Sequence, residues 1–197
     1  MLDKDGLLSK ELNVFRRNRH SLNGPAANDA SGRELIERLA HEHYGLVFRF
    51  CARRIGAERA ADAAQETFVT ALRAVLNFRG ESEAKTWLLG IAHNECRRVA
   101  RRDKIAELAV EIDPEAVVQA SAESRWIDRS VLIEALHGLS SEHREAVVMK
   151  EVDGLTYEEI GLILGVPAGT VKSRVHFGMM KLRESLRETM NEAGLSR

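Results

Sequence analysis

The sequence predicts an all-α protein made of two small helical domains joined by a flexible linker. Apolar residues recur every three or four positions along most of the chain, and no stretch of any length alternates as a strand would. Residues 155–186 have the pattern of two helices joined by a tight turn. An acidic, alanine-rich and weakly periodic segment, 105–125, separates this pattern from the helices before it. The 197 residues are enough for two such units.

The charges are numerous but balanced, with 30% charged residues and a net charge of -1. A protein that binds nucleic acid alone is usually strongly basic. Here the charges are segregated, since Arg97 to Lys104 and Thr170 to Arg187 are basic and Glu107 to Glu123 is acidic. This balance is typical of a protein whose DNA affinity is largely supplied by a partner.

The cysteines, Cys51 and Cys96, are far apart and unpatterned, which indicates reduced thiols in a cytosolic protein. His93 and Cys96 lie within one helical turn, but no second pair at ligand spacing accompanies them, so we expect no metal and no other cofactor. No apolar run approaches the roughly 20 residues that cross a bilayer, and the N-terminus lacks a signal sequence. We therefore expect a cytoplasmic protein without membrane insertion.

Residues 1–32 read as a flexible N-terminal extension, in which Leu7 to Arg19 is the candidate for a short helix. A long helix then begins at Arg33 and stops at Gly56. Its apolar positions follow helical spacing: Leu35, Ile36, Leu39, Tyr44, Val47, Phe48, Phe50, Cys51 and Ile55.

A second helix is predicted to open near Asp62, because Asp62 and Gln65 have the relation of an N-cap and its third helical residue, and Glu66 adds favourable charge. Its expected core face is Phe68, Val69, Leu72, Val75 and Leu76.

A third helix follows the Gly80 break and is expected to be capped by Ser82. Its inward residues are Trp87, Leu88, Ile91, Ala92 and Val99, and it ends in Arg97, Arg98, Arg101 and Arg102. Aromatic residues at a loop-to-helix junction followed by arginines suit single-stranded or melting DNA, since rings stack on bases and arginines hold phosphates. Core aromatics followed by a solvated basic helix end explain the same pattern equally well.

Two further helices, Trp126 to Leu136 and Ser140 to Val152, precede the helical pair. Their apolar residues should pack onto that pair: Leu132, Leu136, Leu139, Ala146, Val147 and Val148.

The helical pair at 155–186 is the most informative stretch. Thr156 and Glu159 have capping-box spacing, Gly165 suits the end of the first helix, and Pro167 suits the first turn of the second. Small Gly161 lies where two helices must cross closely. The second helix directs Val171, Val175, Leu182 and Leu186 inward and carries Thr170, Lys172, Ser173, Arg174, His176 and Lys181 on its other face. This is the pattern of a DNA-binding helix-turn-helix, although a plain helical hairpin with a solvated basic face has the same periodicity.

Two segments resemble a known family. ADAAQETFVTALRAVLNFRGESEAKTWLLGIAHNECRRVARR resembles region 2 of the extracytoplasmic-function (ECF, group IV) sigma factors of the bacterial sigma-70 family. LSSEHREAVVMKEVDGLTYEEIGLILGVPAGTVKSRVHFGMMKLRESL resembles their region 4. The resemblance implies region 2 at 33–104, a linker at 105–127, region 4 at 128–190 and a C-terminal tail at 191–197.

The resemblance also implies roles for individual residues. The family's DxxQETF motif docks on the polymerase β′ subunit, and it is matched by Asp62, Gln65, Glu66 and Phe68. The family's −10 segment, which pockets a base from the melted strand, is matched by Phe78, Arg79, Gly80, Glu81, Ser82, Thr86, Trp87 and Asn94. From the chemistry of the residues we add Lys85, Arg97, Arg98 and Arg101 to the −10 candidates. The family's −35 segment is matched by Gly169, Thr170, Lys172, Ser173, Arg174 and His176, to which we add Lys181.

The chain departs from the family pattern after His176. Phe177, Gly178 and Met179 stand where Arg-Ala-Arg is common, which removes expected phosphate contacts. Gly178 should also cost the helix about 1 kcal/mol relative to Ala. Exposed Phe177 and Met180 would suit contact with another protein.

The expected function is therefore that of a non-enzymatic sigma factor. It would bind the β′ and β subunits of core RNA polymerase, recognise the −35 and −10 elements of promoter DNA and promote melting. The family also implies sequestration by an anti-sigma factor, and association with the nucleoid when the holoenzyme forms. The alternative is a standalone helix-turn-helix regulator, which would leave the region 2 motifs without a role. The sequence offers no phosphate loop, nucleophile motif or metal set for an enzyme.

Overall fold

The computed structural model describes residues 29–75, 78, 82–103 and 129–192, which form seven helices and no strand. The helices are α1 (Asp29–Ile55), α2 (Ala57–Ala74), α3 (Ala84–Arg102), α4 (Arg129–His137), α5 (Ser141–Glu151), α6 (Tyr157–Leu164) and α7 (Ala168–Glu192). The all-α prediction is confirmed. The predicted helix at Leu7 to Arg19, the linker at 105–127 and residues 193–197 lie outside the described residues. No described helix is both long and apolar enough to cross a membrane.

The turn between α1 and α2 is made by Gly56, whose φ of 81° favours glycine. The predicted stop of α1 is confirmed, but the predicted start of α2 is wrong. The helix begins at Ala57, five residues before Asp62, and no side chain caps it. Alanine is the best helix former, so the alanines upstream of Asp62 continue the helix to the glycine.

The buried face of α2 is narrower than predicted. It consists of small residues: Ala60, Ala63, Ala64, Thr67, Ala71 and Ala74. Phe68 and Val69 are half-buried, while Leu72 is 39% exposed. Small side chains let α2 lie close to its neighbours, and this closeness leaves its larger apolar residues at the edge.

The predicted inward face of α3 is confirmed, since Trp87, Leu88, Ile91, Ala92 and Val99 are buried. The predicted cap is wrong. Glu83, rather than Ser82, precedes the first helical residue, and no side-chain hydrogen bond caps the helix.

The caps of the C-terminal helices follow the sequence closely. Ser140 Oγ accepts a hydrogen bond from His143 N at 3.4 Å at the start of α5. Thr156 and Glu159 form the complete capping box of α6, and Gly165 ends that helix with a φ of 70°. Pro167 lies one residue before α7, where its carbonyl accepts from Thr170 N. These signals act within a few residues of each other, which is why they could be read directly.

Two apolar clusters hold the helices together. The smaller cluster joins α4, α5 and α7 through Leu132, Ala135, Leu136, Leu139, Val147, Val148 and Leu182. The larger cluster is continuous from α1–α3 into α5–α7, so that Trp87 and Leu88 share it with Met149, Leu155 and Ile160. The sequence predicts that Ala146 packs with the residues of the smaller cluster, but Ala146 lies in the larger one. The two halves of the chain are thus packed against each other.

Candidate nucleic-acid interface

The helix-turn-helix is formed by α6, the turn at Gly165 and α7. A Cβ on Gly161 would lie 2.8 Å from the carbonyl oxygen of Val166, so any larger residue would push the turn away. The predicted close approach is confirmed, and its partner is the backbone of the turn that leads into α7. Val171 and Val175 anchor α7 in the core with 0% and 5% exposure.

The first turns of α7 present an open polar face. Its exposed residues are Gly169, Thr170, Lys172, Ser173, His176 and Lys181. Ser173 Oγ donates a 3.1 Å hydrogen bond to the carbonyl of Gly169, one turn earlier. Ser173 is thus exposed to solvent, and this hydrogen bond stays within its own helix.

Arg174 differs from the other members of the predicted face. Its side chain is only 21% exposed, and its Nη2 lies 3.0 Å from Glu142 Oε1 at the start of α5. Arg174 therefore ties the recognition helix to α5 in addition to lying near the polar face. The spacing of the sequence could not reveal this pair, because its members are in different helices.

Gly178 has a packing role that offsets its cost to the helix. It is buried, and a Cβ there would lie 2.7 Å from Val147 Cγ2 and 3.3 Å from the carbonyl of His143. The glycine thus allows α5 and α7 to cross closely. Phe177 and Met180, on either side of it, are each 49% exposed, as the sequence predicts.

The loop-to-helix junction before α3 contains a stacked aromatic pair. The rings of Phe78 and Trp87 are 4.6 Å apart at an angle of 28°. Trp87 is 4% exposed, so this pair packs the junction against the core. Arg79, Gly80 and Glu81 lie outside the described residues, and Ser82 is half-buried.

Two −10 candidates at the start of α3 are bonded to the helix-turn-helix. Lys85 Nζ lies 3.2 Å from Glu159 Oε1, and Thr86 Oγ1 donates to the same oxygen at 2.9 Å. Thr86 is 1% exposed. Glu159 also accepts the Thr156 amide at 2.8 Å. Partial burial raises the pKa of Glu159, but the bonds from Thr156, Thr86 and Lys85 outweigh it and hold that pKa below its ordinary value.

The remaining −10 candidates lie along α3. Asn94 is half-buried, and Arg97 and Arg101 are exposed. Arg98 lies 2.6 Å from Glu95 and 3.6 Å from Glu66. The arginines thus follow the exposed side of α3 away from the aromatic junction.

The polymerase-binding candidates lie on the exposed side of α2. Asp62, Gln65 and Glu66 are exposed, and Phe68 is half-buried. Tyr44, which is 44% exposed, stacks on Phe68 with the rings 6.2 Å apart. Together with exposed Leu72, these rings make an apolar edge beside the carboxylates. The sequence predicts Tyr44 and Leu72 to be core residues. Their exposure in the structure adds them to the candidate polymerase-binding surface, and the sequence alone did not indicate this.

A buried ion-pair cluster joins α1 to the turn before α6. Asp153, with a side-chain exposure of 1%, accepts from Arg53 through one oxygen and from Arg54 through the other, the latter at 3.1 Å. Arg54 also donates to the carbonyl of Phe50 at 2.9 Å and covers the Phe50 ring. In the sequence these arginines resemble an ordinary basic helix end, and their partner lies about a hundred residues away.

A second pair joins α3 to α5, where His93 Nδ1 lies 3.2 Å from Glu145 Oε1. Burial raises the pKa of Glu145, but the close approach of His93 and the charges of Arg54 and Arg97 hold that pKa below its ordinary value. His93 directly precedes Asn94 in α3.

The two cysteines are neighbours in the core, and both are fully buried. A hydrogen bond to Cys51, together with burial, raises the pKa of the Cys96 thiol far above its ordinary range. A thiol of this kind is unreactive at neutral pH. Among the described residues, no three His, Cys, Asp or Glu side chains are grouped so that they could hold a metal ion.

Comparison with known proteins matches both halves of the chain to one family. Residues 39–105 match the family model for sigma-70 region 2, and residues 129–182 match that for sigma-70 region 4. The RNA polymerase sigma factor YlaC of Bacillus subtilis is 30% identical over 167 residues, covering 81% of this chain and 96% of YlaC. The ECF sigma factor SigE of Mycolicibacterium smegmatis is 34% identical over 185 residues, covering 88% of this chain and 71% of SigE.

Two solved structures have the same fold. One is a sigma factor, RpoE of Bartonella quintana, in complex with the anti-sigma factor NepR, with a TM-score of 0.58, 26% identity and coverage of 78% of this chain and 98% of RpoE. The other is CnrH in complex with the cytosolic domain of CnrY, with a TM-score of 0.55, 22% identity and coverage of 94% and 99% of the two chains.

Proposed function

The chain belongs to the ECF sigma factors of the sigma-70 family, and we propose that its two regions divide the recognition of a promoter between the surfaces described above. Like its family, it binds core RNA polymerase, directs it to promoters and promotes melting for initiation. Region 2, at 33–104, would carry the polymerase and −10 surfaces. Region 4, at 128–190, would carry the −35 surface, with a linker at 105–127, an extension at 1–32 and a tail at 191–197.

The proposed polymerase surface is the exposed side of α2. Asp62 and Glu66 supply negative charge, and Gln65 adds a polar side chain that is free to face a partner. Phe68, with exposed Tyr44 and Leu72 at its edge, supplies an adjoining apolar patch. An interface with an apolar centre and a charged rim is the usual arrangement for specific protein association.

The proposed −10 surface is the junction before α3 and the exposed side of that helix. Phe78 and Trp87 would support the pocket, while Ser82, Lys85 and Asn94 would read the extruded base. Arg79, Thr86, Arg97, Arg98 and Arg101 would complete the surface through contacts with the strand and its phosphates.

The proposed −35 surface is the open face of α7. Gly169, Thr170, Lys172, Ser173, His176 and Lys181 line it, and Arg174 stands at its edge. The N-terminal end of a recognition helix is the part that reaches base edges in the major groove.

An anti-sigma factor is the proposed regulator. The structural similarity to RpoE in complex with NepR supports this proposal, and the exposed pair Phe177 and Met180 offers it an apolar contact on region 4. The relatives act on RNA polymerase in the cytoplasm and are not enzymes. We extend both properties to this chain and expect nucleoid association when the holoenzyme forms.

The observation that carries the proposal is that region 2 and region 4 follow each other on one chain, each with an exposed surface of the required chemistry. Run-off transcription with purified core polymerase, on the promoter upstream of the chain's own operon, tests it. A transcript that needs both core and this chain supports the proposal. Specific DNA binding without any copurification of core would support a standalone regulator instead.

A further inference from the structure

Arg174 is a member of the proposed −35 surface that a second helix holds. Its Nη2 lies 3.0 Å from Oε1 of Glu142, in the first turn of α5, and its side chain is 21% exposed. By contrast, Lys172, Ser173 and His176 are exposed on α7. The guanidinium of Arg174 is therefore fixed at the edge of the polar face, while its neighbours face solvent.

The ion pair of Glu142 and Arg174 contributes little to stability by itself. The carboxylate is 65% exposed, and an ion pair with an exposed partner is screened by water. What the pair restricts is the conformation of Arg174, because an unpaired arginine has many rotamers and loses that freedom on binding. The planar guanidinium carries five N–H donors, so one carboxylate leaves most of them for a second acceptor.

The turn that carries Glu142 is fixed by hydrogen bonds on either side of it. Ser140 Oγ caps α5 by accepting from His143 N. Arg144 is buried and donates to the carbonyls of His137 and Leu139 at 3.0 and 2.9 Å. These bonds anchor the start of α5, and with it the backbone of Glu142.

The close crossing of α5 and α7 lies one helical turn from the pair. Gly178 follows Arg174 by four residues in α7, and a Cβ on it would lie 3.3 Å from the carbonyl oxygen of His143, the residue after Glu142. So close a contact fixes where the start of α5 lies along α7. Backbone packing therefore brings Glu142 within reach of Arg174, and the ion pair does not have to do so alone.

We propose that Glu142 is a positioning residue for −35 recognition, which holds the Arg174 guanidinium in the orientation that reads a guanine. This inference rests on the proposed role of Arg174 in −35 binding. A guanine presents O6 and N7 in the major groove, and a guanidinium bonds both through two parallel donors. An arginine already held in one orientation loses less freedom when it makes that pair. Specificity at one base is then set in part by a residue outside the recognition helix.

Glu142→Ala and Glu142→Gln are the primary variants, since the first removes the carboxylate and the second keeps its size without its charge. Each is combined with core polymerase, and bound sequences are selected from a promoter library randomised at the −35 element. We expect the guanine preference at one −35 position to fall about two- to tenfold in Glu142→Ala, the factor that corresponds to the freedom of one long side chain. Glu142→Gln should lose less, and preferences at the other positions should stay unchanged.

A double-mutant cycle separates positioning from a structural role or a direct contact of Glu142 with DNA. If Glu142 acts through Arg174, the change Glu142→Ala should have no further effect on base preference in an Arg174→Ala background. A structural role would weaken binding to all sequences alike, and a direct contact with a base would persist without Arg174. Either of these outcomes would overturn the proposal.

Glu151→Ala is the matched control. Glu151 is an exposed carboxylate at the last residue of α5, so its removal changes the charge of the same helix by the same amount. Its base preferences should equal those of the parent chain. Equal relaxation in Glu142→Ala and Glu151→Ala would show an effect of net charge and would overturn the proposal.

The single variant Arg174→Ala distinguishes failure of this inference from failure of the proposed function. Because Glu142 is exposed, both Glu142 variants should fold, which circular dichroism checks, and Glu142→Gln serves alone if Glu142→Ala does not. Unchanged preferences in the folded Glu142 variants would overturn the inference, whether or not Arg174→Ala relaxes one position. The proposed function is judged separately, by the core-dependent transcript of the parent chain.

Discussion

The two proposed DNA-binding surfaces of this sigma factor differ in how open they are. The recognition helix α7 exposes Lys172 and His176 to solvent, and Ser173 bonds only to its own helix. At the start of α3, Lys85 is half-buried and lies 3.2 Å from Glu159 of region 4, while Thr86 is 1% exposed and donates a hydrogen bond to the same carboxylate. A match to a recognition motif therefore identifies the chemistry of a surface, whereas the packing of the regions decides whether DNA can reach it.

The comparison also shows how one carboxylate can serve both surfaces. Glu159 completes the cap of α6, which precedes α7, and it also contacts Lys85 and Thr86, two of the proposed −10 residues of region 2. The proposed surface of region 4 is thus exposed, while Lys85 and Thr86 of the proposed region 2 surface are engaged by Glu159. This difference suits their targets, since −35 DNA stays paired and the −10 base is accessible only after melting.

The largest expected effect comes from blocking the binding of core RNA polymerase to the exposed side of α2. We expect the double change Asp62→Arg and Glu66→Arg to abolish pull-down of core, because paired charges at an interface contribute about 2 kcal/mol or more. Both residues are exposed, so the fold should survive, as circular dichroism would show. Glu58→Arg, in the exposed first turn of the same helix, should retain core binding. Retained binding by the double variant would remove this face from the interface.

The next prediction distinguishes opening of the promoter duplex from binding of the closed promoter. Asn94→Ala should still form a closed complex with duplex promoter, since region 4 and core remain intact. It should open the duplex about 5- to 150-fold less well, which corresponds to a lost base contact of about 1–3 kcal/mol. Permanganate reactivity of unpaired thymines measures the opening, and a premelted bubble should restore part of it.

Lys172→Ala is the matched variant on the open surface. It should weaken the closed complex while leaving the opening of bound promoters unchanged. Normal opening by Asn94→Ala, with an unchanged preference at every −10 position, would mean that the base pocket lies elsewhere.

The third prediction separates two residues of α7 that the structure places differently. Lys172 is exposed, so it should act on phosphate: Lys172→Ala should weaken all −35 sequences alike and lower the salt slope by about one. Arg174 is held by Glu142 at 3.0 Å, which fixes its direction. Arg174→Ala should therefore relax one base position at a cost of about 1–3 kcal/mol. Selection from a promoter library measures both, and unchanged preferences in Arg174→Ala would argue against direct readout by this residue.

The features that sequence reasoning predicted well are those set by nearby residues. The capping box of α6 is formed by Thr156 and Glu159, and α6 ends at Gly165. Both features depend on backbone groups only a few positions away in the sequence. The errors have local causes as well. Asp62 has the spacing of a cap, but the alanines before it continue the helix back to Gly56. Leu72 belongs to an apolar periodicity, but the face that fits against the neighbouring helices is the alanine face.

The contacts between the regions could not be predicted in this way. Arg54 and Asp153 are 99 residues apart, and Thr86 and Glu159 are 73 apart. Each of these residues has an ordinary local explanation, as a basic helix end, a turn, a helix start or a cap. Only the packing of the two regions gives them a second role, and that packing depends on many apolar residues at once.

The smallest expected effect tests how closely α7, which carries the exposed −35 candidates, packs against α5. Gly178→Ala should gain up to about 1 kcal/mol of helix propensity. It should lose more, about 1–3 kcal/mol, because the new Cβ would lie 2.7 Å from Val147 Cγ2 and close to the backbone of α5. We therefore expect a net loss of about 1 kcal/mol in the free energy of unfolding, measured by urea denaturation.

Gly169→Ala is the control in the same helix, since a Cβ there meets nothing within 4 Å. It should stabilise the chain by up to about 1 kcal/mol, so the two alanines should act with opposite signs. The change in the free energy of unfolding then reflects the packing of α5 against α7 for Gly178→Ala, and helix propensity for Gly169→Ala. Because α7 is one continuous helix, displacement of its crossing with α5 also tilts the end that carries Lys172 and Ser173. Equal stabilisation by both alanines would mean that α5 and α7 do not cross this closely, and that the recognition helix is less firmly held than its open face suggests.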